Sequence, residues 1–413
     1  MDESPMATVR IKEGKEKQLV RHHPWVFSGA VEPSSKKTVP NRPGIVRVED
    51  STGSFIAYGW YDTDSHILVR LLSWNPETVP NTNWWVDTLS ASIQRRMHFF
   101  QASKKTNTFR LVHGEADFLP GIAIDIYGST IMCMISARVA WDHRLVVVQT
   151  LQKLLNPLVV LVTTDSAFCG IEKLQETTER YVGGMLVTDR EESEVIFREH
   201  GLSYSFQPGS GQKSGFFCDQ RDNRSRVAAY ARGRNVLDAF SYTGAFSFNM
   251  LAQGARSVTA VDSSAPALER LASQLALNVG KGRLPFDSKD RLHVEQADVF
   301  QYLRDMQANS YDLIVLDPPK LAHTKAQVDG ALRAYKDLNR LAIQKVTQGG
   351  IVATFSCSSG VTRDMLRTAI AWAAKDARRE VQILETLGQS SDHPIRLSFP
   401  ESEYLKGFIF LVL

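Results

Sequence analysis

Val236-Leu237-Asp238-Ala239-Phe240-Ser241-Tyr242-Thr243-Gly244 is an apolar run that reaches an acid and then a loop whose one glycine opens a helix. Outward from it the chain alternates. Strands are expected over 235–240, 257–262, 292–296, 312–317 and 350–356. Helices are expected over 245–254, 265–278, 300–307, 332–346 and 363–377. Two closing strands are expected near 381–387 and 406–413. Alternation at this spacing predicts an α/β fold with a parallel, doubly wound sheet. Leu313-Ile314-Val315-Leu316 is apolar without a break, as suits a strand covered on both faces.

Ligands of such sheets sit at the carboxyl ends of the strands. Gly244 would let one approach the backbone closely. No G-x-G-x-x-G is present, and Asp238 stands inside the loop, which argues against a pyrophosphate cradle and suits a ligand with a cationic end. Asp262 ends the next strand, where an acid hydrogen-bonds ribose hydroxyls; a helix cap by Asp262 or Ser263 is the other reading. In Ala297-Asp298-Val299 the pattern repeats, with Asp298 facing an adenine amine or capping a helix. Acids at three successive strand ends, without a phosphate loop, describe a site for adenosine bearing an amino acid. The expected cofactor is S-adenosyl-L-methionine.

Leu316-Asp317-Pro318-Pro319-Lys320 closes the fourth strand in a rigid, donor-poor turn that suits a planar base, with Asp317 beside the transferable methyl. Ala353-Thr354-Phe355-Ser356-Cys357-Ser358-Ser359-Gly360 closes the fifth, so Cys357 leaves the sheet on the same edge as Asp317. A thiolate there has one use above others. Attack at C6 of a pyrimidine makes C5 enamine-like, so that C5 can take a methyl group. Asp317, if protonated, could hydrogen-bond N3 of cytosine as charge builds there. Cys357 and Asp317 are the expected catalytic residues. Gly215-Phe216-Phe217-Cys218-Asp219-Gln220-Arg221, with Gln212, Lys213 and Arg224 around it, reads either as a lid over the cofactor with cations near RNA or as a hairpin leading into a helix, with core aromatics. Cys218 has no base near it in sequence and is not expected to be a nucleophile.

The 413 residues are 43% apolar and 23% charged, which supports two or three domains and excludes disordered or collagen-like classes. A net charge of +3 is too balanced to imply nucleic-acid binding, so a polyanion site must be a local patch. One candidate runs from Arg10 to Arg47, where nine basic residues face three acids and His22-His23-Pro24-Trp25 interleaves aromatics. A solvated face is the plainer reading. Four scattered cysteines make no disulfide framework or zinc spacing, so no metal is expected. No signal peptide or membrane span is read. Residues 1–74 form short strands, 75–83 a linker, and the middle region mixes strands (122–127, 131–136, 159–164) with helices (85–100, 141–155).

Further blocks extend the pattern over nearly the whole chain: His23-Pro24-Trp25-Val26-Phe27-Ser28-Gly29-Ala30, Ser65-His66-Ile67-Leu68-Val69-Arg70, Leu119-Pro120-Gly121-Ile122-Ala123-Ile124-Asp125-Ile126-Tyr127-Gly128, Tyr335-Lys336-Asp337-Leu338-Asn339, Asp392-His393-Pro394 and Tyr404-Leu405-Lys406. With the strand-end motifs they make the chain similar to the class I methyltransferases of the ribosomal RNA large subunit methyltransferase I type. The resemblance implies a PUA-like N-terminal β barrel (1–75), a middle α+β domain (76–190) and a C-terminal Rossmann-like methyltransferase domain (191–413). It implies 5-methylcytosine as product, large-subunit ribosomal RNA as partner, homodimer formation as an option, no membrane and a cytoplasmic location. Carried over by position, Asp238, Asp262, Asp298 and Asp317, with Gln212, Phe216 and Gly244, hold S-adenosyl-L-methionine, and Cys357 is the nucleophile. The chain departs from the family at Cys218, where Leu is commoner, and at Ser358-Ser359-Gly360, where His is frequent. Lys320 stands where many pyrimidine C5 methyltransferases carry a second cysteine, and 34–41 reads as an insertion. Two other functions remain compatible with the sequence: methylation of an exocyclic amine of guanine or adenine, which needs the D-P-P turn but no thiolate, and a non-catalytic RNA-binding assembly factor.

Overall fold

The computed structural model describes residues 6–35, 42–100, 104–188, 194–207 and 215–413. Its C-terminal part is a seven-stranded sheet. The strands are β1 (Asn235–Ala239), β2 (Ser257–Asp262), β3 (Leu292–Gln296), β4 (Tyr311–Leu316), β5 (Val346–Ser356), β6 (Val381–Gly388) and β7 (Lys406–Val412), in the spatial order 3-2-1-4-5-7-6. Strands β1 to β5 are parallel, as the strand–helix alternation demands. β7 runs antiparallel between β5 and β6, so the fully parallel sheet expected from the pattern is corrected at this one strand, while β6 keeps the direction of β1 to β5. Among the described residues no α-helix lies between β6 and β7 to carry the chain over a face of the sheet, and the chain returns alongside β6 as its antiparallel neighbour.

Both faces of the sheet are covered. One carries α1 (Arg221–Ala228), α2 (Ala245–Ala252) and α3 (Ala265–Gly280), packed through Val227, Phe248 and Leu271 on Val236, Val315 and Ala353. The other carries α4 (Val299–Asp305), α5 (Val328–Lys345) and α6 (Arg363–Ala377), packed through Leu303, Leu338 and Ile370 on Leu237, Ile314 and Val352. Neighbours in sequence thus point to opposite layers, the period of a strand buried on both sides. The order reverses between β1 and β4, where Ala239 lies beside Leu316, and Leu316 beside Thr354 of β5. A crevice at the carboxyl ends of β1, β4 and β5 follows from this topology.

The N-terminal part is a five-stranded sheet in the order Thr8–Arg10, Gly44–Glu49, Phe55–Tyr61, Val69–Ser73, Trp25–Val26. The middle part is a six-stranded sheet running from Met185–Val187 through Thr178–Val182, Val159–Thr164, Thr130–Ile135 and Ile122–Tyr127 to Thr108–His113. A hairpin of Val195–Glu199 and Leu202–Phe206 packs on the face that carries α1 to α3. The helix expected over 141–155 is two, Arg138–Asp142 and Arg144–Leu155. They break at His143, whose ring bonds the Val139 carbonyl at 2.8 Å and stacks on Trp85 at 4.5 Å.

Candidate functional site

The loop after β1 shapes one wall of the crevice. Phe240 (φ 64°), Tyr242 (φ 49°) and Gly244 (φ 82°) all adopt left-handed backbone. Two non-glycine residues in that region cost roughly 1–2 kcal/mol each. The loop is held by hydrogen bonds from Ser241 N–H to the Val261 carbonyl (3.0 Å), from Tyr242 N–H to the Asp262 carboxylate (2.9 Å) and from Gly244 N–H to the Ser241 carbonyl (2.8 Å). Gly244 is required twice over, because its φ is positive and a Cβ would lie 2.7 Å from Leu271 Cγ.

Asp238 is buried below this loop. Its Oδ2 accepts from the Ser247 amide (3.0 Å) and hydroxyl (2.6 Å) at the start of α2, and its Oδ1 has no partner. Burial, then the nearby Asp262 charge, push the carboxyl up to about 7. Asp262 is half-buried and also accepts from Ser264 N–H at 2.9 Å. The cap of α3 is Ser264, accepting from Ala267 N–H, so neither Asp262 nor Ser263 is the cap considered from sequence. Asp298 is exposed and caps α4, accepting from Gln301 N–H at 2.8 Å. Gln212 lies outside the described residues.

Asp317 follows β4 and accepts from Gln220 Nε2 at 2.9 Å. Burial first, then the charges of Asp219 and Asp238, push it up to about 7. Asp219 is anchored by the Tyr404 hydroxyl at 2.7 Å, while its Oδ1 is buried without a partner. Cys357, partly exposed, follows β5 and packs at the edge of the cluster that includes Phe246 and Phe355. Ser358 ties the two strand ends together. Its hydroxyl accepts from the amides of Leu321 (3.2 Å) and Ala322 (3.1 Å), just after the D-P-P turn, and lies 3.3 Å from the Tyr335 hydroxyl. The turn and the cysteine are therefore cross-linked by one buried side chain.

Between these walls lies a shallow cleft open to solvent, lined by Phe216, Phe217, Gln220, Arg224, Phe240, Ser241, Tyr242, Thr243, Ala245, Phe246 and Asp317. Aromatic walls suit a purine ring and a thioether chain. The partnerless Ser241 hydroxyl lines the cleft, the partnerless Asp238 oxygen sits beneath it, and Gly244 keeps its backbone approachable. The donor set fits S-adenosyl-L-methionine, whose ammonium and sulfonium want carboxylates and whose hydroxyls want acceptors.

The 215–224 segment is core more than lid. Phe216 is buried among Phe197 and Tyr204, with only Phe217 partly exposed beside Tyr242. Arg221 and Arg224, cations near RNA in the lid reading, are buried in two-bond ion pairs with Asp392 and Glu199, because guanidinium forks match carboxylates; the hairpin supplies Glu199 and the segment between β6 and β7 supplies Asp392. Cys218 is buried, bonds Thr108 at 3.4 Å, and burial pushes its thiol far up, which removes it as a nucleophile. Sequence reasoning passed over Asp219, Gln220, Ser358 and Lys406. All four lie inside the quoted blocks, but only the tertiary contact shows what each touches.

The model of the S-adenosylmethionine-dependent methyltransferase family matches residues 185–394, and that of the PUA-like domain matches 9–74. Ribosomal RNA large subunit methyltransferase I of Pseudoalteromonas atlantica is 37% identical over 409 residues, 98% of this chain and 99% of that protein. The chain belongs to the ribosomal RNA large subunit methyltransferase I family. The relatives of the same name from Tolumonas auensis (37% identity, 97% of this chain and 98% of the relative) and Erwinia tasmaniensis (35%, 98% and 100%) span it equally. Among solved structures, a SAM-dependent methyltransferase assignment from Streptococcus mutans superposes with TM-score 0.78 at 20% identity over 98% of this chain and 100% of the other. A second, crystallised with SAH, superposes with TM-score 0.80 at 20% identity and the same coverage. These two share the fold. As a member of the large subunit methyltransferase I family, the chain is an S-adenosylmethionine-dependent methyltransferase with a PUA-like domain, as the sequence implied.

Proposed function

We propose that the chain methylates C5 of a cytosine in large-subunit ribosomal RNA through a covalent bond between Cys357 and C6. The observation that supports this most is the cross-link by Ser358, which keeps the Cys357 strand end against the D-P-P turn that carries Asp317. The relatives' name supplies the RNA. When bound, S-adenosyl-L-methionine supplies an electrophilic methyl group and leaves as S-adenosylhomocysteine.

The residues then act as follows. The target cytosine is flipped out, because C5 and C6 are both needed. The Cys357 thiolate adds to C6, and the C5=C6 pair moves toward C5 and N3. Asp317, which still holds its proton near neutral pH, donates a hydrogen bond to N3 as that atom gains charge. Once C5 carries its methyl group, a base takes the C5 proton, the pair re-forms C5=C6, and the thiolate leaves. Asp238, Asp262, Asp298, Gln212, Phe216 and Gly244 are proposed as cofactor residues, Asp262 through ribose hydroxyls. The same reading takes 1–75, 76–190 and 191–413 as the functional units and places the protein in the cytoplasm.

Cys357→Ala decides the reaction class. Loss of turnover with S-adenosyl-L-methionine still bound is expected for C5 chemistry. Near-wild-type turnover would point instead to an exocyclic amine, and failure of the wild type to bind millimolar cofactor would point to an assembly factor.

A further inference from the structure

Lys406 begins β7 and lies opposite Ser356, the residue before Cys357, in the antiparallel β5–β7 pair. Its side chain is 3% exposed. Nζ donates to the carbonyls of Ser358 (3.3 Å) and Tyr404 (3.2 Å), so it reaches the backbone on the far side of Cys357. Burying an ammonium costs several kcal/mol unless an anion compensates it. Among the described residues Lys406 forms no ion pair. The groups around it are Glu403 in the preceding turn, Arg363 at the start of α6, Lys320 after the D-P-P turn, and Cys357. Glu403 is already bonded to Arg363 at 2.8 Å. Arg363 and Lys320 are themselves cations. Cys357 is the remaining group on which a negative charge can form.

We propose that Lys406 is a positioning residue whose buried ammonium balances the charge of the Cys357 thiolate, holding the sulfur ready to attack. The Sγ–H proton passes to solvent, and the ion pair that replaces it supplies the anion that the buried lysine lacks. Tyr335, whose hydroxyl bonds Ser358, faces Cys357 from α5 and is kept neutral, with burial pushing it upward. It therefore adds no competing charge. Burial pulls the Lys406 ammonium down to about 8, so the cation is present at neutral pH and is lost as pH rises through that value. This inference rests on the reading of Cys357 as nucleophile, yet it is tested without turnover.

The experiment is alkylation of Cys357 by iodoacetamide across pH 6 to 9.5 in the full chain, followed by peptide mass spectrometry. Cys133, Cys169 and Cys218 are buried, so they contribute little signal, and Cys357→Ser gives the background. Lys406→Met is expected to alkylate about tenfold more slowly at pH 7, with its pH midpoint moved upward, while Lys406→Arg retains most of the rate. Equal rates and equal midpoints in wild type and a Lys406→Met variant that still binds S-adenosyl-L-methionine overturn the proposal. If Lys406→Met does not fold, the wild type decides: a midpoint well below that of an ordinary thiol, about 8.5, supports the ion pair, and one at or above it contradicts it. A normal Lys406 result with full methylation by Cys357→Ser would instead refute the nucleophile reading alone.

Discussion

Asp238, proposed to face the cationic end of the cofactor, carries a carboxyl whose proton affinity would then report cofactor binding. It is neutral below about pH 7, because burial disfavours its charge. A folded-state value above the ordinary carboxyl range means that the apo chain loses stability from this group as pH rises from about 4 to 7. A cationic ligand reverses that preference, since it binds the ionised form better. Affinity for S-adenosyl-L-methionine is therefore expected to rise about tenfold or more between pH 5.5 and 7.5, as titration calorimetry reads. Asp238→Asn should bind weakly with no such slope, and a flat wild-type profile would contradict the role given to this acid. At this scale the sequence was legible at the ends of apolar strands, where Asp262 ends β2 and Asp317 and Cys357 follow β4 and β5; Asp238, expected inside the loop, lies within β1 instead. It was not legible for Arg221 and Arg224. A charged run looks the same whether it faces RNA or is buried against Glu199 and Asp392, acids some 25 and 171 residues away.

At the scale of elements, Ser358 joins the end of β5 to the turn after β4. Its hydroxyl is shared by two amides that Ser358→Ala would leave unpaired, at about 1–3 kcal/mol in stability. The expected functional signature is a fall in kcat with little change in cofactor affinity, because the loop proposed to hold the cofactor follows β1, whereas Ser358 ties β5 to the turn after β4. Steady-state kinetics with a parallel binding measurement would check it; weakened cofactor binding with intact kcat would show that the tie serves another purpose. Element boundaries were read well where an apolar run met a sharp stop, as in Ser257–Asp262, Leu292–Gln296 and Arg363–Ala377. Thr108–His113 and the hairpin of Val195–Glu199 with Leu202–Phe206 went unread, and α1 entered only as the helix of the plainer reading of the 212–224 block. Arg221–Ala228 is so polar that no helical stripe shows, and its burial depends on ion pairs that a periodicity cannot report.

For the whole molecule, the N-terminal sheet is locked to the rest by charges sealed from water. Arg70 bonds Glu172 at 2.7 Å and Glu115 at 3.2 Å, and Glu115 also accepts from Trp25 Nε1 at 2.9 Å. From the C-terminal part, Arg396 reaches the carbonyls of Glu115 and His22, both at 2.9 Å, and lies over the Phe118 ring. These contacts fix the PUA-like domain relative to the crevice. Arg70→Met leaves two buried carboxylates without their cation and is expected to cost about 3–5 kcal/mol, seen as a lower midpoint or a split transition in thermal unfolding. An unchanged melting curve would mean that the domains dock by other means. The His-Pro-Trp block, considered from sequence as an RNA contact, proves to serve this junction in part: Trp25 packs edge-on to Phe399 at 4.7 Å. Partners more than 300 residues apart leave no local trace, so the sequence could name the modules but not how they meet. Among the described residues no helix is long and apolar enough to cross a membrane.

The measurement that bears most directly on the reaction is nucleoside mass spectrometry of large-subunit ribosomal RNA incubated with the purified chain and methyl-labelled S-adenosyl-L-methionine. The RNA should come from cells that lack the protein. Label is expected in 5-methylcytosine at one position, and none when Cys357 is replaced by alanine. Label recovered in a methylated guanine or adenine, or in 5-methylcytosine made equally well without Cys357, would contradict C5 chemistry through Cys357.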